Sequence, residues 1–162
     1  MDRLWTPWRY RYISAARKAE GCIFCDKPAQ AADEENYILH RAEHSYVILN
    51  AFPYTSGHLM VAPYEHTATL EDVREATAIE MMLLMRTAVS CLRAVYRPDG
   101  VNLGMNLGEA AGAGVASHIH MHVLPRWTGD ANFMTTVGET RVIPEQLSET
   151  YRKLKQAFAE VE

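Results

Sequence analysis

The sequence predicts an α+β domain built on an antiparallel sheet, and three observations carry that prediction. Two short β-rich segments flank a turn bearing Pro and Gly, one long stretch of helical periodicity follows them, and strand-forming residues return after it. Strands do not alternate regularly with helices. Neither GxGxxG after a strand nor GxxxxGK[ST] is present, so a doubly wound dinucleotide fold and a P-loop are unsupported. The 162 residues, 48% hydrophobic and 22% charged, suffice for one domain with its own core.

Residues 1–20 read as an N-terminal arm. Arg3, Arg9, Arg11, Arg17 and Lys18 against Asp2 and Glu20 give it a local charge of +3 within a chain of net charge −4. Trp5, Trp8, Tyr10 and Tyr12 suit an anchor across the body or a partner subunit, with direct contact to a phosphate-bearing ligand as the alternative. The acidic total disfavours a dedicated nucleic-acid module. No stretch of about 18 apolar residues reads as a membrane span, and the start lacks the apolar core of a secretory signal, so the expected location is cytoplasmic.

A main domain is expected over 21–138. SYVILN at 45–50 and HLMVAP at 58–63 form paired strands around AFPYTSG, and YILHR at 37–41 adds an outer strand. From Thr69 to Arg97 the residues Leu70, Val73, Thr77, Met81, Leu84, Ala88, Cys91 and Val95 recur at helical spacing, with Thr69 and Asp72 as a capping box. Its methionines and Cys91 read as core. Pro98, Asp99 and Gly100 end the helix before the strand VNLGMN, and EAAGAGVAS leads into HIHMHVLPRW. A C-terminal helical extension is expected over 139–162, with Pro144 at its first position and Leu147, Tyr151, Leu154, Phe158 and Val161 on one face.

The chemistry is concentrated in the histidines, three of which fall within five residues. On an extended strand His118, His120 and His122 share one face while Ile119, Met121 and Val123 take the other. Three imidazoles on one face are costly to bury unpartnered, so they either coordinate a metal or divide nucleophilic and acid/base work. The preceding GMNLGEAAGAG offers turns and backbone donors for anionic oxygens. Cys22 and Cys25, in GCIFC, have the spacing of a zinc knuckle, a redox pair or two small buried residues.

The run His118-Ile119-His120-Met121-His122-Val123-Leu124 resembles the His-φ-His-φ-His-φ-φ pattern of the histidine triad (HIT) superfamily, as do Asn50, Pro53 and Gly57-His58 upstream. The resemblance implies a HIT-like α+β fold with a long central helix and a C-terminal helix, paired into a homodimer; a tetramer stays open. It implies that His120 attacks the α-phosphorus of a bound nucleotide and forms a transient nucleotidyl-histidine. His122 would bond the phosphoryl oxygens and leaving group, His118 would organise the site, and His58 would position the nucleophilic ring. Asn50 would contact ribose or order the site, with capping of the turn as its alternative.

Common members carry Gln then Ser or Thr before the triad, where this chain has Gly114 and Val115. Backbone amides from Gly112 to Ser117, with Asn106, would replace those contacts; Ser117 is equally suited to capping the loop. WTPWRYRYI, NLGxNxGxxAGAG and HVLPRWTGDANFM look like the diadenosine-tetraphosphate phosphorylase branch, with Trp127 at the substrate entrance or a subunit contact. This implies phosphorolysis to ADP and ATP with inorganic phosphate as co-substrate and no organic cofactor. The alternatives are a HIT hydrolase of dinucleoside polyphosphates or nucleoside phosphoramidates, and a non-catalytic nucleotide-binding regulator. Resemblance to metal-containing members implies a structural Zn²⁺ on Cys22, Cys25, His66 and His118. His40 and His44 read as strand-edge or turn residues.

Overall fold

The computed structural model describes residues 21–131 and 144–161. The expected arm at 1–20 lies outside them, as does the stretch 132–143. Among the described residues eight α-helices and β-strands follow in order, besides a one-turn helix at Glu109–Ala111: α1 (Ile23–Ala29), β1 (Ile38–Arg41), β2 (Ser45–Leu49), β3 (Leu59–Pro63), α2 (Glu75–Tyr96), β4 (Gly100–Met105), β5 (Met121–Arg126) and α3 (Leu147–Ala159). The strands form one antiparallel sheet in the order β1-β2-β3-β5-β4. The predicted α+β class and antiparallel sheet are both found.

Alternation along β2 and β3 assigns every side chain to one of two cores, because successive residues of a strand face opposite sides. Val47, Leu49, Leu59 and Val61 join Val123 beneath α2 and α3. Tyr46, Ile48, Met60 and Ala62 face the other side, where Phe24 of α1 covers them. Both strands are therefore buried on both faces. The central methionines divide: Met81 and Met85 are core, as is Cys91, but Met82 is exposed.

The helix starts differ from the sequence expectation. Thr69 donates its hydroxyl to the Asp72 carboxylate at 2.6 Å, which closes a local turn and caps no helix. Val73 N–H bonds Leu70 O, Arg74 is extended, and α2 begins only at Glu75. Pro144 likewise precedes the helix, since Gln146 is the extended cap of α3. Glu145 between them accepts from Tyr96 Oη at 2.7 Å and Lys153 Nζ at 2.6 Å, clasping α3 to the end of α2.

Helix α1 went unforeseen. Seven residues are too few to hold a helix in isolation. Tertiary contacts hold it: Phe24 is buried, and Tyr46 Oη donates to the Phe24 carbonyl at 2.8 Å. Tyr46 is fully buried, so Tyr46→Phe leaves that carbonyl unpaired. The expected loss is about 1–3 kcal/mol, read from the midpoint of urea unfolding.

Among the described residues no helix is long and apolar enough to cross a membrane.

Candidate active site

His122 is the one triad histidine inside β5; His118 and His120 belong to the extended segment leading into it. Met121 and Val123 pack against the α2 face, while the rings of His118 and His120 both lie against Phe24 on the α1 side. His122 pairs with Met60 of β3, whose side chain faces the α1 side. All three imidazoles are buried.

Fixed hydrogen-bond partners determine the tautomers. A carbonyl can only accept, so His120 Nδ1, 2.9 Å from His118 O, carries the proton and leaves the Nε2 lone pair unprotonated. A second chain starts at Tyr54, whose backbone N–H donates to His58 Nδ1 at 3.2 Å, with Asn50 Nδ2 at 3.3 Å from the same atom. His58 must then carry its proton on Nε2, which lies 2.9 Å from His122 Nδ1. His122 accepts there and is left with an N–H donor at Nε2. The site thus pairs one imidazole lone pair with one imidazole donor on rings 5.0 Å apart.

Burial is the leading cause that keeps all three rings neutral, lowering His118 and His120 and pushing His122 down to about 4, where the His120 charge adds to it. The unfolded histidine binds its proton near 6.5, before the folded His122 does. Stability is therefore full above that pH and is lost as the pH falls toward 4. The expected loss from His122 is on the order of 3 kcal/mol, seen as a falling Tm across a pH series.

Other predicted residues fall in or out of this arrangement. Asn50 accepts from Phe52 N–H at 2.9 Å while touching His58, so turn capping and site ordering coincide in one side chain. His58 reaches His122 directly, and the His122 ring in turn lies 5.0 Å from that of His120. Asn106 follows Met105, the last residue of β4 paired with β5. Gly112 ends the one-turn helix Glu109–Ala111 at φ 93°, and its amide is committed to Glu109 O at 2.9 Å. That amide is engaged within the loop, contrary to a free phosphate donor. Gly114 is half-buried, Ser117 is exposed, and Val115 packs against the core cluster that includes Phe24 and Tyr46, which accounts for an apolar residue at that position.

Trp127 is not with the histidines. It rests edge-on against Tyr96 at 6.4 Å, five positions along the strand from His122, or about 17 Å at the rise of an extended chain. Phe24, by contrast, went unrecognised in the sequence: its ring stacks on His120 at 4.5 Å. The signal was an aromatic between two cysteines, but what it stacks on is a tertiary fact.

Cys22, Cys25, His66 and His118 bring one ligand atom each to a common point, all within 4.8 Å of one another. His118 Nε2 donates to Pro63 O at 2.9 Å, so its Nδ1 lone pair faces the group. It stands 3.4 Å from Cys22 Sγ, 3.5 Å from Cys25 Sγ and 3.3 Å from His66 Nδ1. Two sulfurs and two imidazole nitrogens converging this way, one ring oriented by a backbone carbonyl, match the donor set and outer contacts of a tetrahedral metal site. His40 and His44 take no part; His40 lies on edge strand β1 against Phe158, and His44 N–H bonds Glu80 in the β1–β2 turn.

Residues 32–129 match the HIT domain. A Mycobacterium tuberculosis protein named AP-4-A phosphorylase is 40% identical over 98% of this chain and 85% of its own length. The zinc-bound structure of a histidine triad family protein from Mycobacterium smegmatis aligns with a TM-score of 0.70 at 31% identity, covering 87% of this chain and 95% of that one. A Sulfolobus tokodaii structure described as a hypothetical histidine triad nucleotide-binding protein gives a TM-score of 0.70 at 25% identity, covering 86% and 93%. With the motif, the sheet and the matched residues in agreement, the chain belongs to the HIT domain family.

Proposed function

We propose that this protein is a nucleotidyltransferase that phosphorolyses diadenosine tetraphosphate to ADP and ATP through a nucleotidyl-His120 intermediate. The observation that carries the reading is the pairing of tautomers: an unprotonated His120 Nε2 beside a His122 ring left with an N–H donor. His120 Nε2 forms a bond to the α-phosphorus as the bond to the leaving ATP breaks. The His122 donor bears on the oxygens that gain charge, and His58, held by Tyr54 and Asn50, keeps that donor oriented. Inorganic phosphate then attacks the adenylylated ring and releases ADP.

The substrate class is supported by the Mycobacterium tuberculosis relative named AP-4-A phosphorylase. The Cys22–Cys25–His66–His118 group would hold a structural Zn²⁺, whose chemistry is to fix and orient ligands because its four positions are filled. A homodimer extending the sheet is supported by β4, an edge strand with Leu103 exposed. A cytoplasmic location accords with this chemistry.

The test is product analysis with diadenosine tetraphosphate and isotopically labelled phosphate. Label in ADP, with ATP formed in equal amount, is the expected result. AMP formed at a rate independent of phosphate would identify a hydrolase, and tight nucleotide binding without any product would identify a regulator.

A further inference from the structure

Two short routes join the cysteine–histidine group to the nucleophile. Phe24 stands between Cys22 and Cys25 in sequence, is only 2% exposed, and stacks its ring on His120 at an interplanar angle of 27°. His118 gives its ring to the group and its carbonyl to His120 Nδ1. The face and one ring nitrogen of His120 are thus both held by residues whose placement the group controls. The two cysteines are themselves one helical turn apart, with Cys25 N–H on Cys22 O at 2.9 Å. Both are half-buried and His66 is exposed, so solvent reaches the group.

We propose that Cys22 and Cys25 form a redox-sensitive latch on His120. A two-electron oxidant of the peroxide class takes the pair to a disulfide. One sulfur attacks the peroxide O–O bond, giving a sulfenic acid and one water; the other sulfur displaces a second water from it as the S–S bond forms. Two thiols and one hydrogen peroxide become one disulfide and two waters; from the metal-bound thiolates the two protons come from solvent, and the divalent cation leaves with its oxidation state unchanged. An S–S bond of about 2.05 Å withdraws both sulfurs as donors to a shared ion. It also turns the short segment carrying Phe24, so the stack on His120 and the anchorage of His118 loosen together.

This inference rests on His120 as the nucleophile, and its test keeps the two claims separate. The full chain loaded with zinc is treated with stoichiometric hydrogen peroxide. Disulfide mapping, zinc release to a chromogenic chelator, the NMR signals of the histidine rings and turnover are then followed together. The expected result is a Cys22–Cys25 disulfide, release of about one zinc per chain, shifted His120 ring signals, and turnover reduced at least about tenfold. Dithiothreitol with zinc restores all four. Protein stripped by chelator under reducing conditions recovers with zinc alone, which separates metal loss from disulfide formation. Cys91→Ala responds like the parent, since Cys91 lies on the buried face of α2, on the other side of the sheet.

Formation of the disulfide with unchanged His120 signals and turnover would overturn the latch, as would oxidation that leaves Cys22 and Cys25 unjoined. Absence of turnover in the reduced, zinc-loaded protein would instead defeat the proposed function, while the thiol, zinc and ring-signal readouts still decide the latch.

Discussion

His120→Ala is expected to lower turnover of diadenosine tetraphosphate by about 10⁴-fold or more while changing substrate affinity only a few-fold. The size follows from the proposed mechanism, in which the unprotonated His120 Nε2 is the attacking atom. His122 has its Nδ1 occupied by the His58 proton, and His118 has Nε2 bonded to Pro63 O with Nδ1 turned toward the sulfurs. Neither ring can substitute without breaking a buried hydrogen bond. Alanine also removes the ring on which Phe24 stacks, so the variant's unfolding must be measured beside its kinetics. His120→Asn, which keeps a polar side chain there, should be equally inactive, whereas a loss explained by folding alone would be repaired in part.

The second large effect is expected away from the reacting atoms. Gly57 precedes His58 at φ +80°, and a Cβ there would lie 3.1 Å from Leu92 and Tyr96 and 3.3 Å from Pro125. Gly57→Ala combines an unfavourable backbone conformation with overpacking, for an expected loss of about 2–4 kcal/mol. Its neighbour His58 is set by backbone bonds to Thr55 and Asn50, so the relief of that crowding shifts the ring that orients His122. Turnover should therefore fall together with stability. Gly129→Ala is the comparison: φ is +81° but nothing lies within 4 Å, so only the backbone cost of about 1–2 kcal/mol is expected. Urea unfolding of the two variants separates crowding from conformation, and equal losses would refute the steric part of the argument.

The strands and the chemistry were legible in the sequence for the same reason: both repeat every two residues. Tyr46 to Leu49 alternate between two cores, and His118, His120 and His122 follow that period even where only His122 lies in β5. The helix starts were less legible because Thr69 and Asp72 have the composition of a capping box, yet their side chains bond each other. Pro144 similarly suits a first helical turn, but Glu145 is held by Tyr96 and Lys153 before α3 begins. What the sequence could not supply were partners distant along the chain. The Phe24 stack, the direction of the His58 hydrogen bond and the removal of Trp127 from the histidines all depend on how β3, β5 and α1 meet. The cysteine–histidine group was anticipated through family resemblance, and folding brings its four members together across 96 residues of sequence separation.

The most direct measurement of the central claim is rapid-quench trapping of the enzyme with diadenosine tetraphosphate in the absence of phosphate, followed by peptide mapping under conditions that preserve phosphoramidates. The predicted result is a single adenylyl group on His120 that disappears, with formation of ADP, when phosphate is added. An adenylyl group on another residue, or no adduct in the absence of phosphate while added phosphate still yields ADP at the rate of turnover, would contradict it.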